Sequence, residues 1–178
     1  MTALALVALA APPAWAKSLI SCRARSDCAV ITSACPGWEV VNKVSAAERN
    51  RRNMSQRPHI DCVADAAGPR PEPDCVAGFC LPRIPEGASP LICRAAHWSI
   101  QQAFLEHAAC RKDADCQILS FNCPFGCHTA LNRRAPVARL RTVAELYSSR
   151  CAPCQYSCKE PTTVRCEKGR CAMAGESD

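Results

Sequence analysis

Apolar residues are unevenly spread along this chain, and their local periods predict a few short elements rather than long ones. Thr2 to Ala11 is an uncharged apolar run, followed by Pro12, Pro13 and the small-x-small triplet Ala14-Trp15-Ala16; the first charge is Lys17. This is the layout of a secretory signal peptide over residues 1–16, with cleavage after Ala16, although no Lys or Arg precedes the run. The run is too short for a bilayer span, which takes about 20 apolar residues. Beyond it, Asp27-Cys28-Ala29-Val30-Ile31-Thr32 and Asp115-Cys116-Gln117-Ile118-Leu119-Ser120 read as strands, with a further strand around His59 to Val63. Three helices are expected. Ser45-x-x-Glu48 opens the first as a capping box, and Pro58 stops it. Ala96, Ile100, Ala103, Phe104 and His107 line one side of a second, roughly His97 to Ala108. Pro136 suits the first turn of the third, in which Val137, Leu140, Ala144 and Tyr147 share a face that should pack on the sheet.

Cysteine spacing then organises these elements. Cys22-x5-Cys28-x6-Cys35, closed later by Cys75-x4-Cys80, recurs as Cys110-x5-Cys116-x6-Cys123, closed by Cys166-x4-Cys171. Arg23, Asp27, Pro36 and Gly78 recur as Arg111, Asp115, Pro124 and Gly169. Each closing unit is Cys-x-x-Gly-x-Cys, in which glycine suits a tight hairpin turn with positive φ. The pattern predicts an α+β chain of two homologous strand–helix–hairpin units in tandem, a small disulfide-rich fold in which cysteines pin the helix ends to the sheet. The units are placed at 17–82 and 97–178, the second with an extra N-terminal helix, and 83–96 is a proline-rich linker.

Composition sharpens that picture. Of 178 residues, sixteen are cysteine: Cys22, Cys28, Cys35, Cys62, Cys75, Cys80, Cys93, Cys110, Cys116, Cys123, Cys127, Cys151, Cys154, Cys158, Cys166 and Cys171. Leu, Ile, Val and Phe together make up fewer than one in five residues after Ala16, too few to offset chain entropy comfortably. Disulfides must supply the difference, at about 2–4 kcal/mol each, and they require an oxidising compartment. The even count predicts three equivalent bridges per unit, two additional ones in the second half and no free thiol. Secreted or periplasmic localisation is expected.

Little catalytic chemistry is visible. Cys151-Ala152-Pro153-Cys154 follows a helix rather than starting one and lacks the βαβ setting of a redox motif. Cys123-x3-Cys127-His128 is a loosened form of the haem c attachment motif, and the first unit lacks its second cysteine and its histidine. Zinc would need reduced thiolates. Neither a G-x-S-x-G nor an H-E-x-x-H sequence occurs. No catalytic residue, cofactor or metal is therefore assigned.

The formal charge of +6 is modest and, with few aromatic residues, does not indicate nucleic acid. Both helices inside the units are basic. Arg49 and Arg52 in one, and Arg139 and Arg141 in the other, are candidate contacts for an anionic partner, against a solvated face as the plainer reading. Cys80-Leu81-Pro82-Arg83-Ile84-Pro85 resembles, over six residues, the reactive loops of trypsin-type inhibitors; the composition favours a linker. The expected role is an exported, disulfide-stapled, non-enzymatic binding or structural module, partnered by an extracytoplasmic protein or an anionic surface, with no membrane span after cleavage. The alternative is a serine protease inhibitor acting through Arg83 and Ile84.

Overall fold

Hairpins, not single strands, are the building blocks. The computed structural model describes residues 18–35, 37–56, 68–121, 123–151 and 163–174. In the N-terminal half, β1 (Cys28–Thr32) pairs antiparallel with β2 (Trp38–Asn42), α1 (Lys43–Gln56) follows at once, and β3 (Pro73–Val76) pairs with β4 (Phe79–Pro82). A long helix, α2 (Pro90–Glu106), leads into the C-terminal half. There β5 (Cys116–Leu119) pairs with β6 (Thr129–Asn132), α3 (Val137–Arg150) follows, and β7 (Thr163–Glu167) pairs with β8 (Arg170–Ala174). The result is a mixed α+β fold in which every described sheet has two strands.

Two such strands are marginal in water alone, so each half cross-links its hairpins. Cys28–Cys80 does this in the N-terminal half, and Cys22–Cys75 ties the segment before β1 to the β3–β4 hairpin, with Cα separations of 5.5 and 5.9 Å. In the C-terminal half Cys116–Cys171 and Cys110–Cys166 play the same two parts, again at 5.5 and 5.9 Å. A fifth bridge, Cys93–Cys151, ties the first turns of α2 to the end of α3. Cys35, Cys123 and Cys127 are disulfide-bonded as well, and no described cysteine is free. Cys28–Cys80 and Cys116–Cys171 join hairpin to hairpin, and Cys93–Cys151 joins helix to helix. The closing cysteines sit opposite each other within one hairpin (Cys75↔Cys80, Cys166↔Cys171), so both reach the same neighbouring segment.

Backbone hydrogen bonds stitch the same hairpins. Leu19 O accepts from Asn42 N at 2.7 Å, Ile20 O from Cys80 N at 2.6 Å, and Cys22 N donates to Gly78 O at 2.9 Å. His107 O accepts from Asn132 N at 2.9 Å, Ala108 O from Cys171 N at 2.7 Å, and Cys110 N donates to Gly169 O at 2.9 Å. Asn42 and Asn132 complete the stitch. Their amides donate to Ser21 O and Ala109 O, and their carbonyls accept from Val44 N and Arg134 N. Asn42 thereby caps α1 in place of the expected Ser45 box.

The core follows from this frame. Ile20, Phe79 and Leu81 of the N-terminal half meet Ile100, Ala103 and Phe104 of α2, and Phe121, Phe125, Leu131, Leu140 and Val143 of the C-terminal half. The stripe anticipated on α2 is that core face, but the helix begins at Pro90, inside the stretch taken as linker. Ser89 caps it by accepting from Ile92 N, and Pro90 occupies its first turn. Leu140 and Ala144 of α3 are buried as expected, yet α3 packs chiefly against α2, where Cys93–Cys151 holds it, and not on a sheet of its own. The expected strand at 59–63, residue Pro58 and the signal-like segment lie outside the described residues.

Both closing hairpins have two-residue loops with positive φ throughout: Ala77 and Gly78 at 50° and 81°, Lys168 and Gly169 at 49° and 80°. This twist suits a tight hairpin. Only Gly78 is also crowded, because Arg139 reaches across from α3, its Nε donating to Ala77 O and its guanidinium lying 4.8 Å from the Phe79 ring. Gly169→Ala should cost about 1–2 kcal/mol from left-handed strain alone. Gly78→Ala should cost more, since its Cβ would displace Arg139. Urea titration of both variants checks this; equal costs would mean that the Arg139 contact contributes nothing.

Candidate functional site

The sequence-selected arginines are held in different ways. Arg49, on α1, grips Glu39 of β2 with two bonds, Nε to Oε2 at 2.8 Å and Nη2 to Oε1 at 3.2 Å, and lies 5.2 Å from the Trp98 ring. Glu39 is buried, so this pair is an internal tie between β2, α1 and α2. Arg139 is engaged at the Ala77–Phe79 turn, and Arg141 lies 5.8 Å from the Phe121 ring. Arg52 is exposed. The four do not converge on one surface: two lie on α1 and two on α3.

Arg83 is exposed and paired with Glu72 at 3.4 Å, while its N–H donates to Glu72 O at 2.7 Å. Ile84 is buried, in a cluster with Cys93, Ala96 and Cys151. Asn53 of the Asn53-Met54-Ser55 glycosylation sequon is also fully buried, its Nδ2 donating to Thr32 O at 2.9 Å.

Titratable groups sit in structural roles. His97 lies 5.3 Å from Phe125 in a stacked arrangement, and His107 meets Phe79 edge-on at 5.9 Å. Burial pushes both imidazoles below their ordinary range, and the nearby Arg139 charge adds to this at His107. Asp27 and Asp115 are held below the ordinary carboxylate range by backbone N–H groups, of Arg23 and Ala24 in one case and of Arg111 and Lys112 in the other. The sulfurs of Cys22, Cys28 and Cys80 lie within 4.8 Å of one another, as do those of Cys110, Cys116 and Cys171. All six are bonded in disulfides and present no thiolate to a metal.

What sequence reasoning missed is a groove. It has a volume of about 330 Å³ and is lined by Ala130 and Leu131 of β6, Arg170, Ala172 and Met173 of β8, and Phe104 and Leu105 of α2. Leu105 has 44% of its surface exposed. The contrast with the N-terminal half lies on β8: Phe79 and Leu81 are 0–1% exposed where Arg170 is exposed and Ala172 half-buried, whereas Val41 and Leu131 are both fully buried. In the N-terminal half α2 covers Phe79 and Leu81, with which Ile100 and Ala103 pack, and Ser99 Oγ donates to Val40 O at 3.3 Å, while the Val40 side chain packs with Cys22, Cys28, Val30 and Cys80. The signal for the groove was present in the residue types, since Arg170 and Ala172 stand where Phe79 and Leu81 stand in the first copy of the spacing.

No family model, no curated protein and no solved structure matches this chain. Among the described residues, no helix is long and apolar enough to cross a membrane. The disulfides are consistent with an extracellular or oxidising compartment.

Two measurements test this assignment of roles. Arg49→Gln strands the buried Glu39 carboxylate and should cost about 3–5 kcal/mol, whereas Arg52→Gln should stay within about 0.5 kcal/mol. Chemical denaturation separates them; similar costs would show that Arg49 is not a structural tie. Stability should also depend on pH with a defined sign. A histidine whose folded pKa is lowered contributes fully above its unfolded value, about 6.5, and loses that contribution as pH falls through the folded value. The two aspartates contribute above 3.8 and lose it as pH falls through their lowered values. Thermal melts should thus give a plateau above about pH 6.5, then a decline in two stages. A Tm that rises between pH 7 and 5 would contradict the burial of the imidazoles.

Proposed function

We propose that this chain is an exported, non-enzymatic protein-binding module built from two homologous copies of one disulfide-stapled unit. Residues 18–82 form one copy and 106–174 the other. The support for two copies is the correspondence of bridges, stitching hydrogen bonds, strand-end asparagines and positive-φ turns, found in the same order in both halves. Export is supported by the signal-like segment 1–16 and the need to oxidise the cysteines.

One asymmetry carries the binding role. The strand groove that α2 closes in the first copy stands open in the second, lined by apolar side chains on a frame that cross-links hold rigid. Rigid, preformed surfaces bind with less loss of conformational entropy. Protease inhibition through Arg83-Ile84 draws on the exposure of Arg83, but Ile84 would have to leave its buried cluster to enter a protease cleft.

A photo-reactive amino acid placed at Ala172 of the exported protein should yield a discrete cross-linked adduct in the extracytoplasmic fraction. The same probe at Arg52 should not. Failure of the chain to leave the cytoplasm, or absence of an adduct specific to position 172, would overturn the proposal.

A further inference from the structure

We infer that the β6–β8 groove receives an amphipathic α-helix from another protein, seated as α2 is seated on β2 and β4. The inference rests on the binding-module reading and names the class of partner. Its basis is an occupant already visible in the same chain.

With Cys80 matched to Cys171 and Asn42 to Asn132, Val40, Val41, Phe79, Leu81 and Pro82 fall on Ala130, Leu131, Arg170, Ala172 and Met173. In the N-terminal half a helix lies across these strands and brings Ser99, Ile100 and Ala103 to them, the two small side chains allowing close approach and Ile100 filling the contact. In the C-terminal half the frame is the same, but Ala130, Ala172 and Met173 are half-buried and Arg170 is exposed. Cys171 there keeps 8% exposure where Cys80 has none.

The differences specify the incoming helix. Ala172 in place of Leu81 leaves room, so the groove takes larger aliphatic side chains than the Ser99 and Ala103 of α2. Arg170 in place of Phe79 puts a cation at the end of the groove and favours a carboxylate on the helix there. Helix-in-groove recognition reads such residues at i, i+3, i+4 and i+7.

Among the described residues, a second copy of this chain has no such helix to offer; α1 exposes Val44 and Met54, which are not at i, i+3, i+4 spacing. The apolar face of α2 is already buried, and Cys93–Cys151 tethers it. The outer faces of α1 and α3 carry Glu48, Arg51 and Arg52, and Arg139, Arg141 and Glu145.

The test uses the full-length oxidised protein and two synthetic helical peptides. One has the α2 sequence, residues 90–107, with serine at the Cys93 position; the second also carries Ala103→Leu. On titration into isotopically labelled protein, at least one should shift the amide resonances of Thr129–Leu131 and Arg170–Met173 and leave those of β2 and β4 unmoved. Ala172→Arg, which fills the groove with a charge, should weaken that binding at least tenfold. Ala130→Glu provides a second block should the first variant fold poorly, as judged by its melting curve.

If neither peptide binds at 1 mM, or if binding shifts β2 and β4 instead, the helix assignment is overturned. It is also overturned if the groove resonances shift with protein concentration alone and the chain runs as a dimer, since the occupant would then be a second copy. A position-172 cross-link that persists while the peptides fail would leave the binding module standing and remove only the helix.

Discussion

Everything in this fold depends on the cross-linking of one two-stranded hairpin to another. Neither hairpin carries enough apolar surface to hold itself; one bridge joins each pair, and a second ties the preceding segment to the closing hairpin. The described bridges enclose loops of 52–58 residues. For loops of this length the chain-entropy estimate is about 4 kcal/mol for the first bridge, with less for a second that overlaps it. The bridges do not act alone. The strands they bring together are laced by the same short segment, residues 19–22 or 107–110, whose backbone bonds to both hairpins.

From that frame the position of α2 follows. Its start is covalently tied to α3, and its last residue, Glu106, accepts from Leu19 N at 2.6 Å and from the Ser18 hydroxyl. The next residues form the stitch of the C-terminal half. One helix therefore covers the first pair of hairpins, contacts α3 and delivers the chain to the second pair. Its side chains supply the middle of the only large apolar cluster among the described residues.

Sequence made some of this legible and hid the rest for definite reasons. The Cys-x-x-Gly-x-Cys turns were readable because positive φ demands glycine and two-residue loops leave little freedom. The core faces of α2 and α3 were readable because those helices are long enough to show a period. β2 was missed because Val40 and Val41 are both buried, one on each face, so no alternation marks the strand. The start of α2 was overlooked although Ser89 and Pro90 announce it, because the prolines before it read as a linker. Arg49 looked like a free surface charge because its partner, Glu39, lies in a different element. Arg170 and Ala172 in place of Phe79 and Leu81 were the sequence's one sign of the groove, and it becomes readable only once the strands that a helix covers are known.

Asn53 adds a consequence of another kind. The acceptor nitrogen of the sequon donates to Thr32 O and has no exposure once α1 has docked on β1. In any host that attaches sugars during export, a transferase would have to reach that nitrogen before the helix docks. Glycan occupancy at this position would then act as a clock, recording how long each molecule lingered between entering the export compartment and burying the residue for good.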